Sequence, residues 1–356
     1  MALSKIETQA LDVGQIGGRR NLIINGAMQV DQRNSGSAVT GISDTSNYVP
    51  DRFQIRVDGS GSGRMTAQQV TDAPANFKNS LKITVTTTDA SPTASEGYAI
   101  RQSIEGQNMS HLNFGTSDAQ TITVSFYVKS SVTGDFSLNL GNGSSTRWYG
   151  ALYTVNTADT WERKTVTLIG DTTGTWASDN TSGLVVVFGL GGGSSRTTTP
   201  DTWQTLSGTQ TFTTGGTNLF ATSSATWQIT GVQLEVGSVA TPFEHRSFGE
   251  ELALCQRYCF RMNSNRIASG TVGSSTEAFF VTHLPVSMRA TPSLIVNALG
   301  NIVKEGTAWY ANTAISVSGS GTSPLALSTT QSNNQMSALH STALGNGVDL
   351  TFDAEL

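Results

Sequence analysis

The sequence predicts an all-β protein: a β-sandwich or barrel, a short linker helix and a second, smaller β domain. The composition is rich in Gly, Ser and Thr, only 13% of the 356 residues are charged, and stretches of helix-forming residues are rare. Apolar residues alternate with polar ones in short runs that end at turn formers. Many short strands joined by loops are typical of sandwiches and barrels.

The length predicts about two domains, at roughly 100 to 200 residues each. We place a polar N-terminal arm over residues 1–20, the sandwich over 21–246, the linker helix over 247–262 and the C-terminal β domain over 263–356.

Several runs predict strands of the first domain. Asn21–Val30 has the apolar content of a strand, with a turn or bulge at Asn25-Gly26. Two alternating sets on either side of Thr133-Gly134-Asp135 predict a hairpin over residues 121–140: Ile122, Val124, Phe126 and Val128, then Phe136, Leu138 and Leu140. The run 184–188 is continuously apolar, as in a strand buried on both faces. Trp227–Val236 changes phase, which predicts a bulge near Thr230-Gly231.

The alternation stops at Ser247, where a capping pair with Glu250 predicts the start of a helix. One apolar stripe follows at helical spacing: Phe248, Leu252, Cys255 and Cys259. The stripe fits a helix packed on its own domain or a helix at a symmetry axis, where these four residues would contact other subunits. Beyond it we expect strands at 279–284, 293–299, 308–317 and 348–354.

Charge and composition exclude several classes of protein. The net charge of -5 and the scattered Lys and Arg offer no basic face for nucleic acid. We find no signal peptide and no apolar run of the ~20 residues that a membrane helix needs, so synthesis and assembly in a cytosol are expected. No cofactor is predicted.

The two cysteines predict neither a disulfide framework nor a metal site. None of His111, His245, His283 and His340 lies at a recognisable ligand spacing from them. We expect reduced thiols in an apolar contact.

No catalytic residue is predicted. Most carboxylates fall in turns, where Asp is favoured because it bonds the local backbone, and the Gly-x-Ser-x-Gly elbow of serine hydrolases is absent from the sequence. We therefore expect a non-enzymatic protein.

Aromatic residues in apparent loops are the better functional candidates, because their faces stack on sugars while neighbouring polar groups bond the hydroxyls. Six residues are proposed as glycan contacts: Asn142, Arg147, Trp148, Tyr149, Trp176 and Trp203. The alternative is core or rim packing, which is common for aromatics in a β-sandwich. We expect core packing of Trp161, because it stands at the start of a strand.

Several segments together resemble phage tail-fibre and related virion proteins that carry a carbohydrate-binding-module-like jelly roll. They are NLIINGAMQV at 21–30, DRF at 51–53, TWER at 160–163, ITGVQLEVG at 229–237, TPFE at 241–244 and Glu250 through Tyr258. A further fragment, LPV at 284–286 with MRATP at 288–292, is similar to C-terminal segments of phage tail proteins.

The resemblance implies a structural virion protein, a tail fibre or receptor-binding subunit that attaches to the host by binding a surface glycan. It also implies a homotrimer exposed on the particle and docked to other virion proteins through residues 1–20. A head-decorating or purely structural fibre is the alternative, and a glycan depolymerase is a third. Neither nucleic acid nor membrane insertion is expected.

Overall fold

The computed structural model describes residues 20–263, 268–274, 276–304, 308–317, 321–322, 325–331, 341–345 and 347–356. The predicted docking arm therefore lies, except for Arg20, outside the described residues. No helix among them is long and apolar enough to cross a membrane. The chain divides into two compact units, one reaching Arg246 and including Leu356, the other covering Ser247–Glu355.

Residues 20–246, the described part of the first unit, form fifteen strands and one short α-helix. They are β1 (Val39–Ile42), β2 (Asn47–Tyr48), β3 (Gln54–Asp58), β4 (Arg64–Val70), β5 (Ser80–Thr87), β6 (Gly97–Glu105), α1 (Gly106–Met109), β7 (Ile122–Ser130), β8 (Gly134–Asn142), β9 (Arg147–Val155), β10 (Glu162–Leu168), β11 (Ser182–Gly192), β12 (Thr197–Thr198), β13 (Trp203–Thr205), β14 (Phe212–Thr213) and β15 (Thr226–Val236).

Two antiparallel sheets form the predicted β-sandwich. The first has the order β1-β4-β5-β15-β7-β10 and the second β13-β9-β8-β11-β6-β3-β2. From β5 to β8 the chain passes from one sheet to the other at every connection, as in a jelly roll. Alternate side chains of both sheets meet in one core; Val124 and Phe126 of β7 and Leu138 of β8 are fully buried there. The predicted fold class is confirmed.

The hairpin predicted over residues 121–140 is wrong. β7 pairs with β10 and β15, whereas β8 pairs with β9 and β11 in the other sheet. The turn at Thr133-Gly134-Asp135 therefore carries the chain across the sandwich. Alternation along each strand is the same in both arrangements, because it reports only that one face is buried.

The predicted strand at residues 21–30 is also wrong. This segment is buried but irregular, and Asn25 has a φ of 61°. Its side-chain amide donates to the carbonyls of Val30 and Asp51, and its side-chain oxygen accepts from the amides of Gln29 and Val30. Asn25 thus supplies the partners that a sheet would otherwise supply.

The bulge predicted in residues 227–236 is confirmed. The pairing of β15 with β7 shifts register between Thr230 and Gln233, and Gly231 adopts a φ of 62°. The shift lets Ile229 and Val232 both point into the core, where both are fully buried.

The second unit begins with helix α2 (Phe248–Gln256). Its strands are β16 (Cys259–Met262), β17 (Ala268–Val272), β18 (Glu277–Thr282), β19 (Ser293–Ala298), β20 (Asn301–Lys304), β21 (Ala308–Val317), β22 (Leu325–Gln331), β23 (Ser341–Gly345) and β24 (Asp349–Asp353). Six of them close a barrel in the order β17-β18-β22-β21-β20-β23, and β16, β24 and β19 form a separate sheet. The four predicted strands of this region are confirmed as β18, β19, β21 and β24.

The helix starts as predicted but is shorter. The Ser247 hydroxyl accepts from the Glu250 amide, and the helix ends at Gln256, so Cys259 lies on β16 instead. Both cysteines are fully buried within the single chain and are not joined in a disulfide. The side chains of Cys255 and Cys259 therefore lie inside the single chain, which favours the alternative of a helix packed on its own domain for these two residues, whereas Phe248 is 57% exposed.

Candidate functional site

The structure moves two of the predicted glycan contacts into the interior. Trp148 stands on β9 rather than in a loop and is fully buried, packed with Ala99, Val185 and Val187 on the outer side of the second sheet. Asn142 is also fully buried. Its amide donates to the Thr146 hydroxyl and the Thr175 carbonyl, and its oxygen accepts two backbone amides. The expectation that these two residues are exposed is wrong.

Three other predicted aromatics meet at one end of the sandwich. The Trp203 ring lies edge-on to Trp176 at 5.6 Å and to Tyr149 at 5.4 Å, and Phe114 closes the group at 4.8 Å from Trp176. Both indole N–H groups donate to backbone carbonyls, from Trp203 to Ile169 at 2.9 Å and from Trp176 at 3.2 Å. Tyr149 and Phe114 are buried in this group, whereas Trp176 and Trp203 are partly exposed.

Arg147 is paired beside this group. Its Nε and Nη2 lie 2.7 and 2.8 Å from the two carboxylate oxygens of Asp171, and its Nη1 lies 2.9 Å from the Thr205 hydroxyl. The hydrogen bond to Asp171 raises the pKa of Arg147. With its donors used on all three nitrogens, Arg147 closes the end of the sandwich, and the geometry favours a packing role for this cluster.

A groove of about 620 Å³ opens elsewhere, on the outer face of the first sheet. Its sides are the loop 71–79 between β4 and β5 and the segment 237–246 that follows β15. The groove is lined by Asn76, Phe77, Ser125, Tyr127, Arg163, Gly231, Ala240, Pro242, Phe243 and His245. A volume of this size with an aromatic lining and a few polar groups is typical of a small-ligand site.

Four rings form the apolar part of the groove. Phe77 is central: its ring centroid lies 5.4 Å from Tyr127, 5.1 Å from Phe243 and 5.3 Å from His245. Phe77, Tyr127 and Phe243 are partly exposed. These rings turn part of their apolar surface toward water, as Trp176 and Trp203 also do.

The bulge in β15 makes room for these rings. A Cβ atom on Gly231 would lie 2.7 Å from the Phe77 ring and 3.1 Å from the Tyr127 ring, and the residue's φ of 62° also disfavours side chains. The same glycine that corrects the phase of β15 thus leaves space on the outer face for the groove floor.

Two buried side chains of β15 hold the segment 237–246 in place. The Glu235 carboxylate accepts from the amide and hydroxyl of Thr241 at 2.9 and 2.6 Å, and Gln233 accepts from the Glu244 amide at 2.8 Å. Gln233 and Glu235 are fully buried although they face away from the core. They position the wall that carries Phe243.

Glu244 secures the other end of this wall. Its carboxylate accepts from the backbone amides of Arg20 and Asn21 at 3.0 and 2.9 Å. Burial by itself would raise the pKa of Glu244, but these hydrogen bonds and the positive charges of Arg246 and Arg20 outweigh it and lower the pKa. The ionised carboxylate therefore ties the wall to the start of the sandwich.

Polar groups border the rings of the groove. Arg163, on the edge strand β10, is exposed, and its guanidinium donates to the Thr241 carbonyl at 3.0 Å. Ser125 and Asn76 add a hydroxyl and an amide. The groove thus combines aromatic faces with hydrogen-bonding groups. Across the part of the chain that the structure describes, no cluster of three or more His, Cys, Asp or Glu could hold a metal ion.

Sequence reasoning missed this groove, although two signals were present. Tyr127 alternates out of phase with Val124, Phe126 and Val128, so it is an aromatic residue on an otherwise polar outer face. Phe243 lies in the TPFE segment that carries the resemblance, but its role could not be assigned before the wall was seen. The expectation that Trp161 packs in the core is wrong: its ring is partly exposed, and its indole donates to Asp72 at 3.3 Å.

Comparisons with solved structures find proteins of similar β architecture. A putative sugar binding protein from Bacteroides thetaiotaomicron is 12% identical over 61% of this chain and its full length, with a TM-score of 0.36. A family 11 carbohydrate-binding module from Clostridium thermocellum, in complex with a β-1,3-1,4-mixed-linked tetrasaccharide, is 10% identical over 57% of this chain and 97% of the module, with a TM-score of 0.28.

The enzymatically active domain of a bacteriophage CBA120 tailspike protein is 11% identical over 61% of this chain, with a TM-score of 0.30. The matched region spans about a fifth (21%) of that tailspike chain. No known family profile matches the sequence, and no curated protein matches it significantly. At these identities and TM-scores the likenesses do not place the chain in a family.

Proposed function

We propose that this protein binds a glycan, without chemical turnover, in the groove formed by Phe77, Tyr127 and Phe243. The observation that carries the proposal is a set of partly exposed rings beside the Arg163, Ser125 and Asn76 polar groups in a volume of about 620 Å³. Aromatic faces cover the C–H surface of a sugar, and the polar groups satisfy its hydroxyls.

The walls support binding because they are held in place before any ligand arrives. Buried Gln233 and Glu235 fix the segment that carries Phe243, so little side-chain or loop ordering remains to oppose association. Preorganisation of this kind raises affinity by lowering the entropy cost of binding.

Alanine variants test whether the glycan binds in the groove or at the aromatic cluster at the sandwich end. Tyr127→Ala and Phe243→Ala should each lower the apparent affinity on a polysaccharide array by about tenfold, which corresponds to about 1.4 kcal/mol, while Trp203→Ala should leave it within about twofold. Circular dichroism controls for folding. Loss of binding in Trp203→Ala with retention in both groove variants would move the site to the cluster, and no binding to any polysaccharide would remove the function.

The same array supplies the test for turnover. Incubating the protein with each polysaccharide it binds should release no reducing ends above a control without protein. Release that persists in a repurified preparation would make the protein a depolymerase, and the loop carboxylates Asp171, Asp179 and Asp201 would then be the first to replace.

We place this binding on the surface of a phage virion, as a tail fibre or receptor-binding subunit docked through residues 1–20. The support is the sequence resemblance over residues 21–262. Deleting residues 1–19 should leave a folded protein that binds glycan but no longer enters particles. Incorporation at the normal level would oppose the docking role, and unchanged host adsorption by Phe243→Ala phage would favour a head-decorating fibre instead.

A homotrimer is part of the same proposal, with the second unit as its contact region. Large apolar side chains are exposed there, including Phe248 at 57%, Val281 at 53% and Ile295 at 47%. Because these side chains are exposed in the single chain, Phe248→Asp and Val281→Asp should fold and should weaken assembly. Sedimentation equilibrium of the wild-type protein measures the oligomeric state, and a monomer at micromolar concentration would contradict the trimer.

A further inference from the structure

The charged groups around the groove differ in how many hydrogen-bond and ion-pair partners they have. Of the ten described residues that line it, Arg163 carries a guanidinium, His245 an imidazole, and none a carboxylate. The Arg163 guanidinium has one hydrogen-bond partner among the described residues, the Thr241 carbonyl, which it reaches through Nη2. The planar fork of an arginine offers five N–H donors, so most of those on Arg163 have no acceptor among the residues that the structure describes.

The carboxylates closest along the groove walls are already engaged elsewhere. Glu235 accepts from Thr241 and Gln233, and lies 3.9 Å from Arg20. Glu244 accepts from two backbone amides and from Arg246.

The adjacent carboxylate of the loop 71–79 is also paired. Asp72 accepts from Lys129, Trp161 and Gln228, and the bond from Lys129 lowers its pKa. Since each of these three carboxylates has its own partners, the positive charge of Arg163 is left for a ligand.

We infer that the glycan of the proposed function is acidic, and that Arg163 pairs with a carboxylate on one of its sugars. This inference rests on glycan binding in the groove. Strand pairing places Arg163 directly opposite Tyr127, so a sugar ring stacked on Tyr127 would bring a carboxylate substituent within reach of the guanidinium. Arginine suits this contact because its fork matches both oxygens of a carboxylate.

The test compares polysaccharides before and after chemical reduction of their carboxyl groups. Polygalacturonate, hyaluronan and polysialic acid are immobilised with their carboxyl-reduced forms and with neutral glucans, and the full-length protein is titrated onto each. Binding to at least one acidic polymer should fall about tenfold or more on reduction. The uronate and sialate arms distinguish the two sources of the carboxylate.

Three variants assign the effect to Arg163. Arg163→Gln should weaken binding to the native acidic polymer about tenfold and make it insensitive to carboxyl reduction, while its amide can still donate to Thr241. Arg163→Lys keeps the positive charge and should weaken binding to the acidic polymer less than Arg163→Gln does. Lys78→Gln removes one positive charge from an exposed position in the wall loop, outside the lining, and should change binding by no more than about twofold.

Equal binding to native and reduced polymers would overturn the inference and leave the proposed glycan function intact. Equal losses in Arg163→Gln and Lys78→Gln would also overturn it, because the effect would then be unspecific attraction. Binding to no polymer at all would remove both the inference and the function.

Discussion

Replacing Trp148 by alanine should destabilise the first unit strongly. The indole is fully buried on the outer side of the second sheet, against Ala99, Val185 and Val187 and with the partly buried Leu206. It also covers Gly141, its direct partner on β8, where a Cβ atom would lie 2.6 Å from the ring. No small shift of the backbone can fill the space that the indole leaves.

The magnitude follows from the buried area and the indole nitrogen. Burying about 200 Å² of aromatic surface at about 25 cal/mol per Å² stabilises by up to about 5 kcal/mol. Trp148 Nε1 has no hydrogen-bond partner among the described residues, and removing a buried unpaired donor returns about 1 to 2 kcal/mol. The net loss of unfolding free energy should be about 3 kcal/mol, within the lower range for Trp-to-Ala changes.

Urea denaturation followed by tryptophan fluorescence measures this loss, since five of the six tryptophans (148, 161, 176, 203 and 227) lie in the first unit. A loss of about 3 kcal/mol should lower the Tm by about 6 to 12 °C. Trp161→Ala is the matched control; its ring lies partly exposed beside Asp72, and it should lose less than about 1 kcal/mol. Equal losses in the two variants would refute the packing argument.

Three further predictions concern the groove floor, a turn and the sandwich end. Gly231→Ala should lower the urea midpoint and weaken glycan binding, whereas Gly237→Ala, with a φ of 109° and no atom within 4 Å of the added Cβ, should affect stability alone. Burial would raise the pKa of Glu162, but bonds from its neighbours lower it from 4.5 to about 2. Because this folded-state pKa is depressed, the stabilisation by the ionised Glu162 carboxylate is complete above about pH 4.5 and is lost as the pH falls toward 2. The difference in unfolding free energy between wild type and Glu162→Gln should therefore be smaller at pH 2 than at pH 7. Asp171→Asn should lower the free energy of unfolding, measured by urea denaturation, by about 2 to 4 kcal/mol, because Arg147 loses part of its buried ion pair. Glycan affinity should be unchanged, and a reduced affinity would mean that the cluster at the sandwich end contacts the ligand.

Local patterns in the sequence determined several strands, among them β7, β8 and β15, and the faces that these strands bury. The alternation of Val124, Phe126 and Val128 and the phase change near Gly231 are properties of one segment, because successive side chains of a strand point to opposite faces whatever the strand pairs with. The helix start at Ser247 was readable for the same reason: a capping residue acts on amides within its own turn.

Tertiary structure alone decided which sheet each strand joins and which aromatics are exposed. Trp148 is buried because segments more than thirty residues away, on β6 and β11, pack against it, and no pattern around residue 148 records them. Tyr127, Arg163 and Phe243 meet in one groove because strand pairing and the anchored segment 237–246 bring them together across more than a hundred residues of chain. Contacts of that range depend on register and on loop course, which are set by the packing of the whole sandwich.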